Sequence, residues 1–363
     1  MASHHKLSAW VCFSKYGSSL PIPLGEWQHE EYHRSVLGVE NIASKNGMWL
    51  LHRWDGTVYG VSDEELARTK ASGLSNLMYA YTAGIQAENN STRQNVISDF
   101  HHPRKFYKNP LYLYNAWYVW NYFRFSTSAA SDSVKDIAPH NENKDPRERD
   151  FAGSDLTAWI YDMFKPGEPF NNRDPFPGGK GVNRRIGFSD LPEEGQRYLQ
   201  QQRKLSLLNF LNPAIFGINR IVTGPDFSFN ALLQYTPTHF GNDISLLLPF
   251  QYRNNKFSLG FHRYSNYQAS FPGLEFEYHE HKLTQSGNVY ISAGLNTWQQ
   301  PEKQGFFDKT GTWGGLLKVR ADIKLFRHIR FYIATSVKTA GWASGNPYLA
   351  NKAGVSTGFT YIY

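Results

Sequence analysis

The chain has 363 residues, enough for two domains that each bury a core of their own. Its aromatic content of 16% is typical of proteins with a membrane-interface belt, but no run of about 18 apolar residues occurs, which excludes a protein built from membrane-spanning helices. The net charge of +7 suits anionic lipid headgroups; because the lysines and arginines are scattered and form no basic run, we predict no nucleic acid partner.

The first element with a chemical pattern is a predicted helix that carries His29-Glu30-Glu31-Tyr32-His33. Residues four apart lie on one face of a helix, so His29 and His33 can direct ring nitrogens at one metal ion. Glu30 then sits beside the open coordination position, where it can take a proton from metal-bound water whose pKa is near 7. The alternative is an exposed amphipathic helix with solvated histidines, which the polar flanking residues favour.

This pentad resembles the His-Glu-x-x-His motif of the zincin metallopeptidases. The resemblance covers five positions and indicates no closer family. It implies a zinc ion held by His29 and His33, with Glu30 as the catalytic base. A chain with one cysteine cannot form a thiolate metal cluster, and a zinc site of this type needs a third protein ligand from another element.

The next predicted helix, from Ser62 to about Asn89, supplies the candidate third ligand. Glu88 falls on its apolar face, where a lone carboxylate is costly unless it is paired or bound to metal. Gly84, one turn earlier, would let another helix approach closely. The Glu branch of the zincins takes a glutamate from a second helix, so the resemblance implies Glu88 as a metal ligand. The alternative is that Glu88 simply reaches solvent, and the weaker candidates are His52, His101, His102 and Glu40.

Further helices complete a mainly helical domain over residues 1–222. They are predicted over Leu111–Ser128, from Ser154-Asp155 to Phe164, and from Ser189 to Leu211. The charged stretch at 138–150 and the Pro- and Gly-rich stretch at 165–184 are predicted to be loops.

From residue 226 to 363 the hydrophobic period changes to two, which predicts strands. In one of them the apolar Leu317, Val319, Ala321 and Ile323 alternate with the polar Lys318, Arg320, Asp322 and Lys324. About eight such strands alternate between short turns and longer loops, as in bacterial outer-membrane barrels. The sequence therefore predicts an α+β protein with an antiparallel up-and-down transmembrane β-barrel whose charged face pairs its own charges. A soluble barrel or sandwich is the alternative.

Together these patterns predict a zinc metallohydrolase anchored in the bacterial outer membrane, with the helical domain on the periplasmic side. A peptide is the default substrate and the acyl chain of a lipid is the other candidate. The predicted partner is the lipid bilayer, and no protein partner is predicted. The alternative function is non-enzymatic: an outer-membrane barrel with a periplasmic scaffold, assembly or transport-accessory domain, in which His29 and His33 are ordinary surface groups.

Overall fold

The computed structural model describes residues 24–47, 55–103, 108–284 and 287–361. The fold is α+β, with a mainly helical amino-terminal region and a carboxy-terminal antiparallel sheet. Two compact units interleave along the chain. Among the described residues, the helical unit contains those up to Ser91, Tyr114–Leu207 and Pro237–His239, and the sheet unit contains those within Thr92–Leu113, Leu208–Thr236 and from Phe240 onward. The described residues within 92–113 and 208–222, which the sequence assigns to the helical domain, therefore belong to the sheet unit.

Six α-helices lie in the described part of the chain. They are α1 (Leu24–Val39), α2 (Asp63–His101), α3 (Asn109–Ser126), α4 (Ala129–Ile137), α5 (Asp155–Phe164) and α6 (Glu193–Ser206). Short 3-10 turns lie at Ala138–Asn141, Pro146–Glu148, Phe170–Asn172, Phe188–Asp190, Leu207–Phe210 and Pro213–Phe216. None of the described helices has the length and apolar character needed to cross a membrane.

Helix α2 begins where the sequence predicts and continues further than predicted. Ser62 accepts from the Glu65 backbone N–H at 3.2 Å, and the Glu65 carboxylate accepts from the Ser62 backbone N–H at 2.8 Å, which is a capping box. The helix is kinked at Gly73, where φ is −158° and ψ is 62°, and then runs past Asn89 to His101. The polar run after Asn89 has no breaker residue, so propensity alone does not mark an end there.

The strands form a small and a large sheet. In the small one, β1 (Lys45–Asn46) pairs antiparallel with β2 (Val58–Tyr59). The strands of the large sheet are β3 (Ile221–Val222), β4 (Phe227–Phe229), β5 (Leu232–Thr238), β6 (Gly241–Tyr252), β7 (Asn255–Ser265), β8 (Ser270–Lys282), β9 (Val289–Pro301), β10 (Gly311–Phe326), β11 (Ile329–Lys338) and β12 (Lys352–Tyr361). Their hydrogen-bonded order is β12-β11-β10-β9-β8-β7-β6-β4-β3, and β5 pairs with β6.

The large sheet differs from the predicted eight-stranded barrel in number and in closure. It has ten strands, and among the described residues β12 pairs only with β11, so the sheet is open. One extra strand is β3, Ile221–Val222, which precedes the predicted barrel, and the other arises because the first predicted strand is interrupted at Asn230. The Asn230 side-chain oxygen accepts from the Ala231 backbone N–H at 2.9 Å and so ends β4 before β5 begins.

The helical unit buries its apolar and aromatic residues in the ordinary way. Its largest fully buried side chains include Tyr79, Tyr81, Phe123, Phe151, Trp159 and Phe170. Buried charges there are paired: Asp162 accepts from Lys70 at 2.9 Å and from Arg173 at 2.8 Å. Removing one partner of such a group is expected to be strongly destabilising, because it leaves an uncompensated buried charge.

The sheet unit shows the opposite arrangement on its long strands. In β8, Leu274 and Phe276 are 45% and 41% exposed, whereas Glu275 between them is 3% exposed. In β10, Leu317, Val319 and Ile323 are exposed and Asp322 is buried. Charges on the polar face pair with each other, as the sequence predicts for this face: Lys318 contacts Glu277, and Arg320 contacts Asp322.

Candidate metal centre

The pentad lies on α1, in the helical unit, and its functional side chains are buried. His29, Glu30 and His33 are 4%, 8% and 1% exposed. The imidazole rings of His29 and His33 lie 5.0 Å apart, one helical turn from each other, on the same face of α1. This burial contradicts the alternative in which the histidines are solvated surface groups.

The ring of His33 is oriented by the backbone of α2. Its Nδ1 lies 2.5 Å from the carbonyl oxygen of Ala80. A carbonyl only accepts, so Nδ1 carries the hydrogen and Nε2 keeps its lone pair. The pKa of His33 is lowered to about 4, mainly because burial disfavours the charged ring. The ring is therefore neutral at pH 7. A neutral ring with a fixed Nε2 lone pair is the form in which histidine binds a metal ion.

Asp155 faces both histidines. Its Oδ2 lies 3.5 Å from His33 Nε2 and 3.9 Å from His29 Nε2. It is the first residue of α5, and the hydroxyl of the half-buried Tyr122 donates to Oδ2 at 2.9 Å. Burial opposes ionisation, but His33, His29 and Tyr122 outweigh it and hold the pKa of Asp155 below its usual value. The carboxylate is therefore charged and fixed in place.

These three side chains could hold a metal ion. One ligand atom from each of His29, His33 and Asp155 lies within 4.8 Å of the other two. In a tetrahedral site with bonds of about 2.0–2.1 Å, ligand atoms are separated by about 3.3 Å. The measured separations from Asp155 exceed that value by only a few tenths of an ångström, so small side-chain movements would be enough to close the site.

Gly84 on α2 makes room for His29. A Cβ atom at this position would lie 2.0 Å from His29 Nε2 and would overlap the ring. The sequence predicts that Gly84 allows a close approach to α2, and the structure confirms this: the group that approaches is the imidazole of His29. A side chain at position 84 would displace His29 from Asp155.

Glu88, the third ligand predicted from the sequence, lies on the other side of the His29 ring. Its Oε1 is 3.8 Å from Nδ1, whereas Asp155 faces Nε2. The group that the structure brings together therefore contains Asp155 in place of Glu88. Glu88 faces the other ring nitrogen of His29, so it is not one of the three residues whose ligand atoms lie within 4.8 Å of one another. That Glu88 binds a metal stays a prediction.

The other candidate ligands do not join the group. Glu40 accepts from the Asn76 side chain at 2.7 Å, and His101 and His102 belong to the sheet unit. His52 lies outside the described residues. Asp155 itself was missed, because a carboxylate at the first position of a helix is already explained by the helix dipole. The available clue was the mostly apolar and fully buried run Leu156–Tyr161 that follows it.

Glu30 is buried next to the three possible ligands. Burial is the largest effect on its carboxyl and raises its pKa well above the usual value; His29 opposes this shift, and the nearby Asp150 and Asp155 add to it. His29 behaves differently. Burial disfavours its charged form, but Tyr118, Asp155 and Glu88 together raise its pKa well above the usual value. The group thus combines two residues with raised pKa values, His29 and Glu30, with the fixed carboxylate of Asp155.

A second polar concavity lies in the sheet unit. It has a volume of about 430 Å³, and charged residues of both signs line it. Each of its main cations contacts an acid: Lys318 contacts Glu277, Arg320 contacts Asp322 at 2.6 Å and Arg330 contacts Glu280 at 2.5 Å. Its charges are compensated within the unit, so it offers a weaker case for a metal or a charged ligand than the group in the helical unit.

The chain matches no protein-family model, no curated protein and no solved structure. The case for a function therefore depends on the residues and geometry of the chain itself.

Proposed function

We propose that the chain is a zinc-dependent hydrolase that binds its metal through His29, His33 and Asp155 and uses Glu30 as the proton acceptor. The observation that carries this proposal is the buried His29-His33-Asp155 group. Two histidines and a carboxylate with an open fourth position are the donor set of catalytic zinc sites. The same donors also serve iron in oxygenases; the Glu30 neighbour in the zincin order favours zinc.

The chain's own residues orient the donors. The Ala80 carbonyl fixes the tautomer of His33, the Tyr122 hydroxyl holds Asp155, and Gly84 admits the ring of His29. A zinc ion bound there supplies Lewis acidity, which polarises a carbonyl and lowers the pKa of water. In this proposal Glu30, which is buried next to His29 in the chain, accepts a proton from water and passes it to the leaving group, which is general base and then general acid catalysis.

The reaction class is hydrolysis of an ester or amide. The oxygen of water forms a bond to the carbonyl carbon, and the bond from that carbon to the leaving oxygen or nitrogen breaks. One proton of the water passes through Glu30 to the leaving group, so no oxidant or reductant is required. Metal content separates this function from a scaffold, assembly or transport-accessory role, because in such a role the pentad binds no metal.

Metal content tests this proposal. We expect the purified chain to hold one equivalent of zinc by elemental analysis, and we expect His33→Ala and Asp155→Ala each to lose it, because each removes a ligand. The matched controls are His140→Ala and Asp136→Ala, which alter exposed residues of the same unit. Equal zinc in all five proteins would exclude the proposed site, and iron in place of zinc would exclude the proposed chemistry.

We further propose that the apolar face of the large sheet contacts the hydrocarbon of a bacterial outer membrane, with the helical unit on the periplasmic side. The support is the exposure of large apolar residues at alternate positions, such as Leu317 at 53% and Val319 at 40%, opposite a paired polar face. A water-facing sheet usually shows the reverse pattern. Hydrocarbon cannot hydrogen-bond a free strand edge, so this proposal requires the outer edge of β12 to be paired in the bilayer.

A further inference from the structure

A row of aromatic side chains leads from the metal centre to the surface of the helical unit. The ring of Tyr118 lies 6.0 Å from that of His29 and is nearly perpendicular to it, at 87°. The Tyr114 ring lies 6.1 Å from Tyr118 and 6.0 Å from Trp117. All three aromatic residues come from α3, at spacings of three and four that place them on one face. Tyr114 and Trp117 are 50% and 44% exposed.

The backbone beside the metal centre is poorly suited to an extended peptide. Peptide substrates commonly add a strand to an exposed sheet edge. In the small sheet, the outer edge of β2 is already bonded within the chain: the Val58 carbonyl accepts from the Phe151 N–H at 2.8 Å, and the Gly60 N–H donates to the Arg147 carbonyl at 2.7 Å. A peptide would have to displace these bonds before it could pair there.

We propose that the substrate of this centre carries an acyl chain, which lies along Tyr118, Tyr114 and Trp117 and presents its ester or amide carbonyl to the metal. Exposed aromatic rings that continue into a buried polar site offer an apolar track for the chain and a polar end for the reacting group. This inference rests on the proposed hydrolase function and replaces the peptide by a lipid-like amphiphile. Hydrolysis releases a fatty acid and an alcohol or amine.

Chain-length dependence tests the acyl track. With the zinc-loaded full chain, we expect kcat/KM to rise from p-nitrophenyl acetate through butyrate to octanoate, by up to about fourfold per methylene buried. Trp117→Ala should lower kcat/KM for octanoate about tenfold more than kcat/KM for acetate, because octanoate is long enough to contact the indole ring and acetate is not. The matched control is Ile137→Ala, which alters an exposed apolar residue of α4 in the same unit; it should change neither substrate.

Two results would overturn the inference, and each differs from failure of the hydrolase proposal. The first result is an equal kcat/KM for acetate and octanoate. The second is cleavage of a fluorogenic peptide that is faster than cleavage of any ester and that Trp117→Ala does not affect. Either result would show a hydrolase that has no acyl track. A chain without zinc and without any turnover would fail as a hydrolase. Acyl binding can then still be measured, because a dibrominated fatty acid should quench the fluorescence of the wild type more than that of Trp117→Phe. Equal quenching would exclude the track.

Discussion

The two compact units distribute polar and apolar residues in opposite ways. In the helical unit Phe151 and Trp159 are buried in the core, whereas in the sheet unit Leu317 and Val355 are exposed while Glu275 and Asp322 are buried. The preference for removing apolar surface from water explains the buried aromatic residues of the helical unit directly. The same preference explains the exposed apolar residues of the sheet if the medium around the sheet is apolar. The comparison teaches that exposure has to be interpreted together with the surrounding solvent.

Buried polar groups also differ in kind between the two units. On the polar face of the sheet, Lys318 contacts Glu277 and Arg320 contacts Asp322, so the charges balance in pairs. In the helical unit the buried carboxylate of Asp162 contacts two cations, Lys70 and Arg173, so none of these three groups lies without a partner of opposite sign. The cluster of His29, His33, Asp155 and Glu30 combines several possible metal ligands with shifted pKa values, which is the usual property of a functional site.

The largest expected effect tests whether the buried carboxyl of Glu30 takes part in the reaction or only stabilises the fold of the helical unit. Glu30→Gln keeps the size of the side chain and removes its ability to accept a proton. We expect hydrolysis to fall by about 10²–10⁴-fold with zinc content unchanged, because Glu30 is not among the possible ligands. Rates of ester cleavage and elemental analysis of the same samples provide the measurement. An unchanged rate would show that another group moves the proton.

A smaller effect tests whether the exposed apolar face of the large sheet contacts lipid. Val319 lies on β10, which is paired on both sides by β9 and β11, so its backbone is satisfied whatever happens at the sheet edges. Val319→Arg should lower the unfolding free energy in lipid vesicles by about 2–4 kcal/mol if the residue lies near the bilayer midplane. Val319→Leu, the apolar control, should change it by less than about 1.5 kcal/mol. A purified chain that stays soluble and monodisperse without detergent would exclude the membrane contact.

Local patterns predicted much of this structure. The spacing of His29 and His33 predicted a shared helical face, and the alternation around Val319 predicted a strand with opposed faces. The choice between Glu88 and Asp155 could not be made, since it depends on which element packs against which ring nitrogen of His29. Closure of the sheet was equally out of reach, because alternation determines the two faces of a strand and contains no information about the partner of β12.

The smallest effect concerns protons released when the metal binds, and it separates the two carboxylates beside His29. In the metal-free chain the pKa of His29 is raised, so the ring is protonated at neutral pH and has to lose its proton before Nε2 can bind a metal. Affinity for zinc should therefore rise with pH, by at most about tenfold per pH unit, until pH exceeds that pKa. His33, with a pKa of about 4, should not contribute near pH 7. Calorimetry in buffers of different ionisation enthalpy measures the released proton. A Glu30→Gln background removes the raised pKa of Glu30 from the measurement, and Asp150→Asn in addition removes that of Asp150, which burial raises to about 7.

Glu88→Gln in this background is the decisive variant for the third ligand. Glu88 is one of the groups that raise the pKa of His29, so its loss should lower that pKa and reduce the number of protons released at pH 7. If Asp155 completes the site, Glu88→Gln still binds zinc, with an affinity lower by about 10–100-fold, which is the usual loss when a group beside a metal-bound histidine is changed. If Glu88 is the ligand that the sequence suggested, the same variant loses zinc and Asp155→Asn keeps it.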